Sequence, residues 1–429
     1  MQRVFVLSLD RKPLDPCHPA RARELLKTGR AATFHRYPFT IILKDRTAAE
    51  SVTHEHRVKI DPGSQTTGVA VVQEQTAEVV WAAEIQHRGK QIKSALDTRR
   101  ILRRSRRNRK CRYRAPRFDN RRKQEGWLPP SLQSRVENIR TWVRRLMRYC
   151  PVSAFSLELV KFDTQRLQNP EISGVEYQQG KLAGYEVREY LLEKWGRRCA
   201  YCGIGDVPLQ VEHIIPKVRG GTDRVDNLTL ACQACNEMKG NRTALEFGHP
   251  EVQEKAGQSL KDATVVNTVR WAIFRALQGF GLPVEAGTGG RTKFNRVRLG
   301  FLKAHWIDAA CVGASTPNSL KISGMRPFSI RSTGHGRRQR CGTDRYGFPI
   351  RHAPRAKRFM GWQTGDLAQA TIPKGKYAGV HVGRIAIRFR PLFLLNGIDV
   401  HPKYLHLLQR ADGYEYAMDK VPAAARRAK

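Results

Sequence analysis

Long apolar runs are missing from this 429-residue chain, and its mean hydropathy is −0.52. With no stretch of about 18 apolar residues, a membrane-spanning helix is excluded. Acidic residues are scarce beside basic ones. Against 77 Lys+Arg stand 38 Asp+Glu, a formal net charge of +39 and a pI of about 10.5. That excess far exceeds what solubility requires, so the expected partner is a polyphosphate that releases counterions on binding. The first apolar run, Val4-Phe-Val-Leu, is broken at Ser8 and Asp10, too short for a secretory leader. Cysteine offers no even framework: of nine, four fall in two Cys-x-x-Cys pairs. This pattern favours a bound metal in a reducing compartment, and a cytoplasmic protein is expected. A single core stops growing at roughly 250–300 residues, so several domains are expected.

Residues 1–52 read as a small α+β module, with a strand at Val4–Leu7, helical residues from Ala20 to Lys27, and strands around 33–37 and 40–43 separated at Pro38. From Val58 a strand runs into Asp61-Pro-Gly, a turn that leaves Asp61 at the strand mouth before a second strand at Thr67–Val72. The apolar run 154–160 contains one carboxylate, Glu158. An ionised carboxylate in a buried strand costs several kcal/mol unless it is paired or holds a cation, so the choice lies between an arginine partner and a metal. Between these strands lies a dense basic run: Arg99, Arg100, Arg103, Arg104, Arg106, Arg107, Arg109, Lys110, Arg112 and Arg114, with no proline before Pro116. The expected structure is a helix whose guanidinium groups suit bidentate phosphate contacts on several faces. Residues 131–149 repeat Leu132, Val136, Ile139, Val143 and Leu146 at helical steps, an amphipathic core helix.

Cys199-Ala-Tyr-Cys202 and Cys232-Gln-Ala-Cys235 supply four thiolates for a closed, structural zinc site. The insert between them carries Gln210-Val-Glu212-His213-Ile-Ile-Pro and a Gly-rich loop ending in Asn227-Leu, and Asn236 follows the last cysteine. This arrangement resembles the zinc-supported HNH nuclease module, a ββα-metal fold. The resemblance implies that His213 is the general base that activates water, and that Glu212, with Asn227 or Asn236, holds one Mg²⁺ against the scissile phosphate. A glutamate stands where many relatives have aspartate.

Further on, His305-Trp-Ile-Asp308-Ala-Ala places two polar groups on one helical side. Asp61, Glu158 and this segment together resemble the RuvC-type, RNase H-like nuclease written in three pieces, which implies two Mg²⁺ ions held by Asp61, Glu158 and Asp308 with His305 beside them. A RuvC nuclease split by an arginine-rich helix and interrupted by HNH is the arrangement of RNA-guided nucleases. The segments Lys12-Pro-Leu-Asp-Pro-Cys-His-Pro-Ala-Arg-Ala-Arg23 and Tyr37-Pro-Phe-Thr-Ile-Ile-Leu-Lys-Asp45 resemble the PLMP domain of the IscB family, with Asp15 in place of the methionine that names it.

The fold expected from this resemblance is α+β and multidomain: an RNase H-like (RuvC) mixed sheet in three segments, an inserted zinc-supported HNH module and a C-terminal β-rich domain. The boundaries are PLMP 1–52, RuvC segments 53–90, 123–185 and 251–320, bridge helix 91–122, HNH 186–250 and a C-terminal domain 321–429 with strands at Leu367–Ile372 and Ile385–Phe389. The implied partners are a guide omega RNA and double-stranded target DNA bearing a short adjacent motif; a monomeric ribonucleoprotein is taken as the default. HNH would cut the guide-paired strand and RuvC the displaced one, base pairing selecting the sequence. A protein-only DNA endonuclease of the junction-resolvase or homing type, and a cleavage-deficient RNA-guided DNA-binding protein, remain as alternatives.

Overall fold

The computed structural model describes residues 2–108, 127–159, 187–188, 191–192, 194–205, 207–257, 263–322, 324–334, 341–345, 348–352, 356–388 and 392–418. The chain divides into two compact units: residues 1–57, 65–153 and 321–423 form one, and residues 58–64, 154–320 and 424–429 the other. Parallel and antiparallel strands mix with helices, giving an α/β multidomain architecture. Among the described residues no helix is long and apolar enough to cross a membrane.

The first unit opens with β1 (Val4–Leu7), β2 (Pro13–Cys17), α1 (Pro19–Lys27), β3 (Ala31–His35) and β4 (Thr40–Leu43), in a sheet ordered β2-β1-β4-β3. Pro19 sits in the first turn of α1, where no N–H is missed, and Ala22 and Leu25 are its buried residues. Strand β2 is absent from the sequence reading because two prolines interrupt it. It lies at a sheet edge, where a lost donor costs no ladder bond.

Strand β5 (His56–Pro62) begins in this unit and ends in the other. β6 (Thr66–Gln73) and β7 (Glu78–Gln86) pair antiparallel, and Phe328–Ser332 joins β7 in parallel with Tyr414–Met418 beyond it. Helices α2 (Gly89–Asn108) and α3 (Pro130–Tyr149) follow. All five apolar positions expected on α3 are buried, and Trp142, a further buried residue of the helix, stacks on Trp81 of β7 with centroids 5.7 Å apart. Each such buried side chain contributes roughly 1.5–3 kcal/mol. A Cβ at Gly89 would lie 3.2 Å from the Arg135 side chain and 3.3 Å from the Ser131 carbonyl, so glycine lets α2 start close against α3. The described part of the basic helix carries Arg99, Arg100, Arg103, Arg104 and Arg107 exposed, and Arg106 shares it. Arg109, Lys110, Arg112 and Arg114 lie outside the described residues.

A five-stranded antiparallel sheet near the C-terminus packs around Ala368, Ala370, Ile385, Phe393 and Leu395. Its strand Leu367–Ile372 matches the expected span, whereas the next runs over Gly379–Ala386 and not 385–389. Glycines at 379 and 383 and the half-exposed His381 mask the alternation there.

In the second unit, β8 (Val152–Glu158) enters from residue 154. A hairpin of β9 (Leu209–His213) and β10 (Leu228–Cys232) leads directly into α4 (Gln233–Lys239), a ββα unit. Then come α5 (Pro250–Gly257), α6 (Ala263–Gln278), β11 (Val284–Gly287), α7 (Gly289–Arg298) and α8 (His305–Ala310). Strand order is β11-β8-β5, and parallel pairing sets Gly287 opposite Glu158.

Candidate nuclease sites

Two clusters of chemically capable side chains lie in the second unit. The first forms where β5 ends at Asp61 and β8 at Glu158, with His305 and Asp308 one helical turn apart on α8. All four line one cavity of about 140 Å³. Glu158 is 5% exposed and accepts from Arg270 Nη2 at 3.0 Å. Asp308 Oδ1 lies 2.8 Å from Arg296 Nε. Burial raises the Asp308 pKa, the Arg296 charge opposes that, and the negative charge of Glu158 adds to it. The carboxylate in the apolar strand therefore has the arginine partner and also lines a cavity shared with Asp61, His305 and Asp308.

The surrounding helices fix this geometry. Thr288 caps α7 by accepting from the Arg291 N–H. Asn295 of α7 donates to the carbonyls of Cys311 and Gly313 at 2.9 Å each, just past α8. Lys59 is buried two residues before Asp61 and donates to the Val312 carbonyl at 2.9 Å, tying β5 to the same segment. Arg270, Arg296 and Lys59 were not singled out from the sequence. The basic spacing of α7 immediately before His305 was the available signal for Arg296, whereas Arg270 stands on a helix with no motif.

The second cluster is built on β9, β10 and α4. The Cys199, Cys202, Cys232 and Cys235 sulfurs all lie within 4.8 Å of one another, and Cys202 and Cys232 are 3.7 Å apart. Four thiols in that space can hold a metal ion. Beneath them Leu209, Ile214, Leu228 and Leu230 form the core of the module.

His213 ends β9. Its Nε2 is 2.8 Å from Asp223 Oδ1, and the other Asp223 oxygen accepts from Lys217 Nζ at 2.8 Å. The Lys217 and then the His213 hydrogen bonds hold the Asp223 carboxyl below the usual range. Glu212 faces the opposite way, into the core, at 7% exposure. Tyr201 Oη donates to one of its oxygens at 2.7 Å and Lys239 Nζ to the other at 2.6 Å. Burial and the Glu212 contact push the Tyr201 phenol far up. Asn227 accepts from the Ile215 N–H and donates to the carbonyls of Ile215 and Thr222, bracing the loop between the strands. Asn236 donates to Gln210 Oε1 at 2.6 Å. The set Glu212, Asn227 and Asn236, expected to hold Mg²⁺, is thus divided among a core ion pair, a loop brace and a strand-to-helix bond. Asp223, Tyr201 and Lys239 are the side chains that sequence reasoning passed over. Asp223 lay in plain view inside the Gly-rich loop.

Residues 4–180 match the family model described as RRXRR protein, and residues 199–242 match HNH endonuclease. No curated protein matches the chain. Among solved structures, Streptococcus thermophilus Cas9 in complex with the AGAA PAM is 12% identical, with a TM-score of 0.22, over 60% of this chain and 32% of that one. The type II-C Cas9 of Actinomyces naeslundii is 17% identical, with a TM-score of 0.16, over 46% of this chain and 27% of that one. The chain spans 32% and 27% of the lengths of these two Cas9 chains. The chain thus carries an HNH endonuclease segment, folded as ββα around His213 and the four thiols, behind an RRXRR segment.

Proposed function

We propose that this chain is an RNA-guided DNA endonuclease of the IscB family, a monomeric ribonucleoprotein with an omega RNA guide that cuts both strands of a duplex beside a short adjacent motif. The observation that carries the proposal is the convergence of Asp61, Glu158, His305 and Asp308, from pieces of sequence far apart, on one cavity. That second hydrolytic centre, added to the HNH segment, is what double-strand cutting requires. The exposed arginines of α2 support a large structured RNA partner, since guanidinium groups on successive turns can contact phosphates on several sides.

In the carboxylate cavity the donor set fits Mg²⁺: three carboxylates offer hard oxygens around a space of about 140 Å³. Asp61, Glu158 and Asp308 would hold the ions, which would supply Lewis-acid stabilisation of the phosphate and a nucleophilic water. Arg270 and Arg296 hold Glu158 and Asp308 in place, and His305, exposed at the rim, is set to exchange a proton with a water or leaving oxygen. In the HNH module the four thiols fit zinc, whose tetrahedral preference suits four sulfurs at these separations. Glu212 does not fit as a ligand of a catalytic cation, because both of its oxygens already accept from Tyr201 and Lys239. His213 acts as general base from a fixed position at the end of β9.

By this reading HNH cuts the guide-paired strand and the carboxylate site the displaced strand. The test is purification from cells that also express the flanking locus, sequencing of any bound RNA, and Mg²⁺-dependent cleavage of a matching duplex. A defined RNA and guide-dependent cutting are expected. Cutting that ignores the RNA sequence contradicts the proposal.

A further inference from the structure

We propose that Asp223 is a positioning residue of the HNH site, the carboxylate that fixes the orientation and tautomer of His213; this rests on the HNH reading above. A general base needs one ring nitrogen free to accept a proton and the other held as a donor. The structure supplies that division. His213 Nε2 lies 2.8 Å from Asp223 Oδ1, and an ionised carboxylate only accepts, so the proton sits on Nε2. Nδ1 has no hydrogen-bond partner among the described residues and is left as the basic nitrogen.

Three features make this contact a built one. Lys217 Nζ donates to the second Asp223 oxygen at 2.8 Å, so both carboxylate oxygens have a partner. The loop that carries Asp223 is shaped by Asn227, whose amide donates to the carbonyl of Thr222, the residue just before it, at 2.9 Å. Gly221 allows the close approach: a Cβ there would fall 1.7 Å from the Ile215 carbonyl oxygen. On the other side, Lys239 Nζ donates to the His213 carbonyl at 2.9 Å and holds the backbone from which the imidazole projects. Backbone and ring are therefore each restrained by a different charged side chain. Glu212, the neighbouring acid that the sequence suggested for this site, is consumed by the core ion pair. Asp223 is the carboxylate in contact with the base.

Outer partners of this kind contribute about 10- to 100-fold. The test uses the full chain, isolated with its co-expressed RNA, on a duplex matching that RNA with each strand end-labelled. In single-turnover cleavage in Mg²⁺, Asp223→Ala is expected to slow the strand cut through His213 about 10- to 100-fold, leaving DNA affinity and the rate of the other strand unchanged. Asp223→Glu is expected to recover a substantial part of the loss. In ¹⁵N-histidine spectra the His213 signals should change from a predominantly Nε2–H tautomer to a mixture in Asp223→Ala. A rate within about threefold of wild type, or an unchanged tautomer signal, overturns the proposal. His213→Ala separates the two levels of the argument. If it leaves both strands cut, the HNH reading itself fails, whereas loss of one strand in His213→Ala with none in Asp223→Ala removes only the role of Asp223.

Discussion

Single side chains in this protein carry charge into places where it must be matched. Lys239 is fully buried and Glu212 nearly so, 2.6 Å apart, with Tyr201 completing the set. A buried pair is weak evidence of net stabilisation, but removing one partner strands the other. Lys239→Met is expected to destabilise the HNH module by about 3–5 kcal/mol, and adding Glu212→Gln should restore much of that. Chemical denaturation of the single and double variants checks this, and an additive double variant would refute it. His87 is the matching case in the first unit. Asn138 Nδ2, which can only donate, lies 3.1 Å from its Nδ1, so Nε2 bears the proton toward Thr67 Oγ1 at 2.8 Å. Burial, with the Arg135 charge adding to it, pushes the His87 pKa down to about 3. An unfolded histidine titrates near 6.5, so below that pH the unfolded chain binds a proton that the native one refuses. Stability is therefore expected to fall as pH drops from about 6.5 toward 3, by up to about 1.4 kcal/mol per unit from this group. His87→Gln should flatten that part of the curve, as pH-dependent melting would show.

Elements, more than residues, decide whether the sites exist. The ββα unit is short, and its β9–β10 hairpin depends on a loop that tolerates no Cβ at Gly221. Gly221→Ala is expected to cost at least tenfold in the His213-dependent strand cut while the other strand is cut normally, measured on a strand-labelled duplex. Chelation of the ion expected on the four thiols should melt the same module, read as a loss of its cooperative unfolding transition with the other unit intact. Much of this was legible in the sequence because it is local. Cys-x-x-Cys pairs, the Glu-His-Ile-Ile-Pro strand end and the Asn-Leu after a Gly-rich loop are set by neighbours in the chain. Helix α3 declared itself through Leu132, Val136, Ile139, Val143 and Leu146, a single buried stripe. What stayed hidden was direction and long-range partnership. Sequence places Glu212 and His213 side by side, but it does not say that one turns into the core toward Lys239 and the other outward to Asp223. Arg270 meets Glu158 across more than a hundred residues, which no spacing rule encodes. Proline-broken β2 and the glycine-rich strand 379–386 were obscured for the opposite reason, since their local chemistry argues against the strands that tertiary pairing makes of them.

At the scale of the whole molecule, a net charge of +39 defines the electrostatics. Nucleic-acid affinity should fall linearly in log[salt], with each lost phosphate contact reducing the slope by nearly one. Reversing exposed α2 arginines such as Arg100 and Arg103 is expected to lower that slope, and a salt titration of RNA binding measures it. The central claim is that two hydrolytic centres, one around Asp61, Glu158 and Asp308 and one around His213, act on different strands. It is tested most directly by strand-resolved cleavage with Asp61→Ala, His213→Ala and the double variant, each loaded with the same RNA. The account predicts that each single variant nicks one strand, that the nicked strands are opposite, and that the double variant binds without cutting. Both strands cut by either single variant, or both lost in each, would contradict it.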